Sequence, residues 1–258
     1  MLRGALLYLS EQQQIFNFVR HNRLARAFAN RFVAADGTVS GNTQTGYTLA
    51  LAFGLTGNRT QAVANKLVAR VNAAGGHLTV GFLGVENLLP VLTDNGHAAT
   101  AYQILLQPGF PGWGYMNSRG ATTIWERWDG IRTDGSFNDP GMNSFNHYGL
   151  GSVGDFLYRQ VGGLAPAAPG YSALRIAPVP GGGLTSAASA FETPYGRAVS
   201  DWSVSGGVVT LRVSVPAGVA ATVTVPGSGD VTAPAQAVAM GGRTFHVGSG
   251  AYTFSTTL

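Results

Sequence analysis

The spacing of apolar residues changes from a helical period to a strand period near Gly163, and this change constrains the fold most strongly. Before it, apolar residues recur every three or four positions, as in Val63, Leu67 and Val71. After it, short β-branched runs such as VVTLRVSV alternate with glycine-rich turns. The sequence therefore predicts a multi-domain α and β protein, with a helical domain over residues 1–165 and an antiparallel β-sandwich over residues 166–258.

About six helical segments are predicted in the first domain. Thr60 is the expected N-cap of the third segment, Pro90 falls in or near the first turn of the fourth, and Ser144 caps the sixth. The first segment is defined by five apolar positions: Ile15, Val19, Leu24, Phe28 and Phe32. The fifth and sixth segments are separated by residues 108–142, a long connection rich in aromatic and charged residues. Connections of that length are usually functional or disordered, and aromatic content disfavours disorder.

Composition excludes several classes of function. The net charge is +4, but no basic stripe is present, so nucleic acid is not expected as a partner. No run of 18 apolar residues is present, which argues against a membrane span. The chain has no cysteine and its five histidines are scattered, so neither a metal nor another cofactor is expected. The apolar run at the N-terminus is too short for a standard signal peptide, and we expect a cytoplasmic protein.

The stretch GATTIWERWDG, residues 120–130, concentrates aromatic and charged side chains in a chain that is poor in charge. Charged residues are 11% of the sequence, against about 25% in an average protein. Here Glu126 lies between Trp125 and Trp128, with Arg127 and Asp129 beside it. Aromatic faces pack on sugar rings while ionisable groups bind hydroxyls, so a carbohydrate site is predicted. The alternative is that the indoles are core residues and that Glu126 pairs with Arg127 at the surface.

Two longer motifs carry a resemblance to a known family. The stretch from HLTVGFLGVENLLP to TTIWERWDG, followed by MNSFNHYGLGSVGDFLYR, resembles the bacterial α-L-rhamnosidases of the inverting type with an (α/α)6 barrel. The segment APVPGGGLTSAASAFETPYGRAVSDW resembles the start of that family's C-terminal β-sandwich. The resemblance implies a rhamnoside substrate, Glu126 as the general base that activates water, and His147 as a contact to the sugar. The tryptophans around Glu126 would shape the pocket, and the other predicted sugar contacts are Trp113, Tyr115, Trp125, Trp128, Arg127 and Asp129.

The sequence also departs from the family pattern. The resemblance implies an upstream glutamate as general acid, and that motif and its half of the barrel have no counterpart here. Inverting hydrolysis needs a carboxyl group on each side of the bond. Glu86 is the first candidate for the missing proton donor, ahead of Asp129 and Asp134. An open half-barrel would expose apolar helix faces, and the chain could pair with a second copy, rearrange, or need a missing partner. Of these we expect two copies to pair as a homodimer.

Three functions follow from these observations. The first is hydrolysis of terminal α-L-rhamnosides with Glu126 as base, impaired by the absent acid. The second is sugar binding or assembly without catalysis. The third is hydrolysis of esters or lactones, whose leaving groups need less protonation.

Overall fold

A computed structural model describes residues 20–258, which divide into two compact units. The first unit ends at Phe145, and the second is Asn146–Leu258. The predicted positions Ile15 and Val19 lie outside the described residues. The boundary predicted at residue 165 falls within the second unit, because the last helical turns group with the strands that follow them. That boundary stays a prediction about independent folding.

Helices form the first unit. They are α1 (described over residues 20–32), α2 (Gln44–Ala52), α3 (Thr60–Ala73), α4 (Phe82–Asp94), α5 (Ala98–Leu105) and α6 (Trp113–Ser118). Helix α2 packs against α3 and α4, and α4 packs against α5. The predicted spacing on α3 is confirmed, since Val63, Leu67 and Val71 are fully buried. The helix also ends before Gly75 and Gly76, which both take positive φ, as the sequence predicts.

Two helix details differ from the prediction. Thr60 is the first residue of α3 and not its N-cap, because a 3-10 turn, Gly57–Arg59, leads directly into the helix. Its hydroxyl lies 2.7 Å from the Thr56 hydroxyl. Pro90 lies in the interior of α4, where it cannot donate to the carbonyl of Glu86. Burial of the neighbouring Leu88, Leu89, Val91 and Leu92 holds the helix together across that position.

The second unit begins with short helical turns and continues as a β-sandwich. The turns are α7 (Tyr148–Gly151), α8 (Val153–Phe156), a π-helical turn (Leu157–Val161) and a 3-10 turn (Pro169–Tyr171). The strands are β1 (Leu164–Pro166), β2 (Ala173–Ile176), β3 (Ser186–Thr193), β4 (Gly196–Ser205), β5 (Val208–Val215), β6 (Ala220–Thr224), β7 (Val238–Gly241), β8 (Thr244–Val247) and β9 (Gly250–Thr257). The fold class is therefore confirmed as a helical region followed by antiparallel β-sheets.

Two sheets face each other across one core. The first has the order β1-β2-β6-β8-β7 and the second the order β3-β4-β5-β9. All pairs are antiparallel except β2 with β6, which is parallel. On β5 the predicted alternation is confirmed, because Val209, Leu211, Val213 and Val215 are buried. Leu211, Val213 and Val215 join residues of the other sheet, such as Ile176 and Val223, in the core.

Candidate active site

The connection between α5 and the second unit holds most of the predicted site residues. The sequence predicted a long loop here, and the structure adds a helix, α6, and a short 3-10 turn, Pro140–Met142. The rest folds back on itself. An isolated bridge joins Ile131 to Phe137, and the Tyr115 hydroxyl donates a 2.8 Å hydrogen bond to the carbonyl of Ile131. The connection is thus an ordered scaffold that can fix side chains.

Glu126 is half-buried and is held by the backbone of Ser144. The Ser144 N–H donates to Oε2 of Glu126 at 2.9 Å, and the Glu126 N–H donates to the Ser144 carbonyl at 2.8 Å. A further bond from the Thr123 hydroxyl to the Phe145 carbonyl joins the same two segments. A hydrogen bond from a backbone N–H to a carboxylate orients it. The carboxylate therefore has a defined position, which a general base requires.

The structure separates the roles of the tryptophans in this motif. Trp125 is only 2% exposed, and its ring packs edge to face on Phe145 with centroids 5.4 Å apart. Phe145 in turn packs on Phe137, with centroids 5.7 Å apart. This burial favours the core alternative for Trp125, which braces the backbone beside Glu126. Trp128 is half-buried and retains accessible ring surface.

Trp113 and Tyr115 lie on α6 and are also buried, at 8% and 4% exposure. Trp113 packs edge to face on Trp128, with centroids 5.1 Å apart. The Arg119 guanidinium lies 5.1 Å from the centre of the Tyr115 ring. Trp113 thus supports Trp128, which is the most accessible of these three rings.

Arg127 pairs with Asp129 and not with Glu126 among the contacts that the structure gives. The Nε of Arg127 donates to Oδ1 of Asp129 at 3.0 Å, and both side chains are about one-third exposed, at 37% and 34%. The alternative of a Glu126–Arg127 surface pair is therefore not favoured. Nearby, the Ser136 N–H donates to Asp134 and lowers the pKa of that carboxyl, as in an ordinary exposed turn.

His147 and Glu86 lie on other elements. His147 is the N-cap of α7 in the second unit, where its Nδ1 accepts a 3.1 Å hydrogen bond from the Gly149 N–H. It also stacks on Tyr148, with ring centroids 4.9 Å apart. The prediction that Ser144 caps this helix is therefore wrong, because Ser144 pairs with Glu126 instead. Glu86, predicted in a loop, is an exposed residue within α4.

The backbone partners of Glu126 were not predicted from the sequence, where Ser144 was expected only as a helix cap. Asn143 and Ser144 occupy the MNSFNHY motif, and Asn138 is 93% buried, with 7% of its surface exposed. Asn138 and Asn143 donate to the main-chain carbonyls of Asp129 and Gly130, and Ser144 meets Glu126 through its own main chain. No pattern of charged or aromatic residues marks these contacts. The only indication in the sequence was that Asn143 and Ser144 belong to the MNSFNHY motif.

No three His, Asp or Glu side chains among residues 20–258 cluster as metal ligands would. No helix in the same range is long and apolar enough to cross a membrane. A cavity of about 370 Å³ lies in the helical unit, and its lining includes none of the predicted site residues.

Comparison with known proteins places this helical unit and sandwich among the glycosidases. A model of the bacterial α-L-rhamnosidase 6 hairpin glycosidase domain matches residues 6–161, and one of the bacterial α-L-rhamnosidase C-terminal domain matches residues 163–239. An α-L-rhamnosidase of Streptomyces avermitilis is 46% identical over 205 residues, 79% of this chain. One from Formosa agariphila is 38% identical over 209 residues, 80% of this chain. The chain belongs to the bacterial α-L-rhamnosidase family.

Solved structures agree with this assignment. The crystal structure of the Streptomyces avermitilis α-L-rhamnosidase complexed with L-rhamnose aligns with a TM-score of 0.84 at 42% identity over 92% of this chain. The native enzyme from Aspergillus terreus aligns with a TM-score of 0.86 at 35% identity over 97% of this chain. The alignments cover 24% and 28% of those chains, and the chain spans about a fifth of the curated relatives it matches, 20% and 22%. The resemblance deduced from the motifs is confirmed.

Proposed function

We propose that the chain acts on terminal α-L-rhamnosides by water attack, with Glu126 as the general base. One observation carries this proposal. Glu126, which Trp125 and Trp128 flank in the sequence, is half-buried, and its carboxylate is oriented by the Ser144 N–H at 2.9 Å. The family assignment supplies the sugar class, since the named relatives are α-L-rhamnosidases.

The chemistry assigned to Glu126 is a single proton transfer coupled to substitution. The oxygen of a water molecule forms a bond to the anomeric carbon of rhamnose as the water's proton moves to the Glu126 carboxylate. The bond from the anomeric carbon to the aglycone oxygen breaks with its electron pair on that oxygen. Attack from the face opposite the leaving group inverts the anomeric configuration.

The departing oxygen needs a proton unless the aglycone is a stable anion. We propose Glu86, an exposed residue within α4, as the candidate donor. Without an effective donor, the general-acid contribution of about 10²–10⁴-fold is lost. An aglycone such as 2,4-dinitrophenolate leaves without protonation, so rhamnosides of this type isolate the step assigned to Glu126.

The sugar contacts proposed from the sequence differ in accessibility. Trp128, Arg127 and Asp129 are half-buried and can present a ring face or polar atoms to a ligand. His147 is half-buried as well, and its proposed contact to rhamnose stays a proposal. Trp113, Tyr115 and Trp125 are buried, which suits a supporting role more than direct contact.

The test is hydrolysis of 2,4-dinitrophenyl α-L-rhamnoside by the full chain and by Glu126→Gln. The variant keeps an acceptor oxygen for Ser144 but cannot take a proton at neutral pH, so we expect turnover to fall by about 10²–10⁴-fold. Glu192→Gln is the matched control, because Glu192 is an exposed glutamate on β3 paired with Arg197 at 3.2 Å. Full turnover in Glu126→Gln would remove the assigned role.

Calorimetry with L-rhamnose separates the other functions considered. Rhamnose binding without turnover of the activated rhamnoside would indicate a sugar-binding protein. Turnover of esters or lactones in place of rhamnosides would indicate a recruited hydrolase. Rhamnoside turnover that depends on Glu126 excludes both alternatives.

We also propose self-association through the apolar surface of α1 and α2. Leu24 and Phe53 are 59% and 56% exposed there, and Phe28, Phe32 and Leu49 line the adjoining cavity. Exposed apolar surface of this kind favours association. Sedimentation velocity should show a dimer for the unaltered chain and a monomer for Phe53→Asp. A monomer in both would contradict the proposal.

A further inference from the structure

Asn143 makes two side-chain hydrogen bonds at the base of the loop that carries Glu126. Its Nδ2 donates to the carbonyl of Gly130 at 3.1 Å and to the carbonyl of Asn138 at 3.3 Å. Both acceptors are main-chain atoms. One amide group thus joins three points of the chain, and its position fixes residue 143 relative to residue 130.

Gly130 makes this arrangement sterically tight. A Cβ at position 130 would lie 2.9 Å from Oδ1 of Asn143 and 3.0 Å from the ring of Trp125. The Oδ1 atom itself is buried and has no hydrogen-bond partner among the described residues. The Asn143 side chain is therefore held by its two donor bonds and by close packing against Gly130, and not by its acceptor.

The next residue, Ser144, is the backbone partner of Glu126. Because Ser144 acts through its N–H and carbonyl, the place of those groups depends on where the neighbouring main chain is anchored. The anchor on one side is the Asn143 amide. On the other side, the Thr123 hydroxyl donates to the Phe145 carbonyl. The segment 143–145 is thus clamped on both sides of the residue that orients the carboxylate.

We propose that Asn143 is a positioning residue for Glu126. Its amide fixes the main chain at residue 143, this places the Ser144 N–H, and the N–H orients the Glu126 carboxylate toward the attacking water. The inference rests on the function proposed for Glu126. It assigns no contact between Asn143 and the substrate. A misplaced carboxylate lowers the rate of proton transfer while leaving the sugar contacts in place.

Two variants of the full chain test this link, each with a matched control. Asn143→Ala removes both donor bonds, and Gly130→Ala presses on Oδ1 of Asn143. Asn95→Ala is the control for the first, because Asn95 also donates from Nδ2 to a main-chain carbonyl, that of Val91 at 2.7 Å. Gly81→Ala is the control for the second, since a Cβ there meets nothing within 4 Å.

The first measurement is amide hydrogen exchange. We expect Asn143→Ala and Gly130→Ala to speed exchange at the Ser144 and Glu126 amides by about tenfold or more. Amides in α3 should keep their protection in both variants, and neither control should change the two amides. Unchanged exchange at Ser144 in a folded Asn143→Ala or Gly130→Ala variant would overturn the proposal.

The second measurement separates positioning from a purely structural effect. With 2,4-dinitrophenyl α-L-rhamnoside, kcat should fall by about tenfold in Asn143→Ala while KM stays within about twofold. If Glu126→Gln is inactive and Asn143→Ala retains full kcat, the positioning role is wrong and the base assignment stands. If Glu126→Gln retains full turnover, the proposed function fails, and the exchange result still decides whether Asn143 orders Ser144.

Discussion

Trp113 and Trp128 pack edge to face with ring centroids 5.1 Å apart, so one indole supports the other beside Glu126. Trp113 is 8% exposed, whereas Trp128 is half-buried. The two tryptophans therefore differ in role, since Trp113 is a buried support and Trp128 keeps part of its surface accessible. It also explains how a ring can stay partly exposed without losing its orientation.

Because Trp128 is a proposed sugar contact, Trp128→Ala, which removes its ring, should weaken binding of L-rhamnose by about tenfold. Trp125→Ala should instead cost about 3–5 kcal/mol in the free energy of unfolding, since its buried ring fills space against Phe145. Calorimetry and urea denaturation measure the two effects. A Trp128→Ala variant with unaltered rhamnose affinity would contradict the assignment of that ring.

Gly163→Ala should destabilise the sandwich far more than Gly183→Ala. Both glycines take positive φ, at 79° and 77°, so an alanine is strained in each by about 1–2 kcal/mol. Only at Gly163 would the new Cβ meet backbone, lying 2.2 Å from the nitrogen of Pro178, whereas Gly183 faces open space. We expect an additional cost of about 1–3 kcal/mol at Gly163 in urea denaturation. Equal urea midpoints for Gly163→Ala and Gly183→Ala would show that the main chain shifts to accommodate the added Cβ at position 163.

Trp202→Phe should destabilise the second unit by about 1–3 kcal/mol. The indole N–H of the fully buried Trp202 donates to the Val161 carbonyl at 2.7 Å. Phenylalanine leaves that carbonyl without this donor. Tyr195→Phe, a change on an exposed ring, is the control. A Trp202→Phe variant as stable as this control in urea would show that the bond contributes little.

The ion pair of Asp36 and Lys66 predicts a specific dependence of stability on pH. A 2.7 Å hydrogen bond from Lys66, together with two bonds from Thr38, lowers the pKa of Asp36 from 3.8 to about 2. Because the folded pKa is the lower one, the stabilisation is present above pH 3.8 and is lost as pH falls toward 2. Lys66→Gln should therefore have a lower Tm than the unaltered chain at pH 6, and the difference should shrink as pH falls toward 2. An equal Tm difference at pH 6 and near pH 2 would exclude the Asp36–Lys66 pair as the source of that difference. At pH 6, 1 M salt should reduce the Tm difference.

Periodicity predicted the elements well and their ends less well. Runs such as Val63, Leu67 and Val71 fix a buried helix face by spacing alone, and β5 follows its alternation. Pro90 was expected near a helix start because its ring disfavours helix interiors, but tertiary burial of its neighbours outweighs the lost hydrogen bond. Helix α6 was missed because its six residues, WGYMNS, are too few for a period to be recognised.

The site was predictable in its side chains and not in its main-chain contacts. The cluster of tryptophans and charges located Glu126, since those residues are rare elsewhere in this sequence. The pairing of Glu126 with Ser144, 18 positions away, depends on how the loop closes. The burial of Trp125 likewise depends on Phe145, which comes 20 positions later. Neither the Glu126–Ser144 contact nor the Trp125–Phe145 contact produces a local pattern in the sequence.

Rescue by azide is the sharpest test of Glu126 as a general base, because azide attacks the anomeric carbon without losing a proton and so bypasses the base. In Glu126→Ala, turnover of 2,4-dinitrophenyl α-L-rhamnoside should fall by about 10²–10⁴-fold. Added azide should restore it and yield the rhamnosyl azide of inverted configuration. We expect azide to raise turnover in Glu126→Ala and not in the unaltered chain. A Glu126→Ala variant that keeps full turnover, or whose loss azide does not relieve, would contradict it.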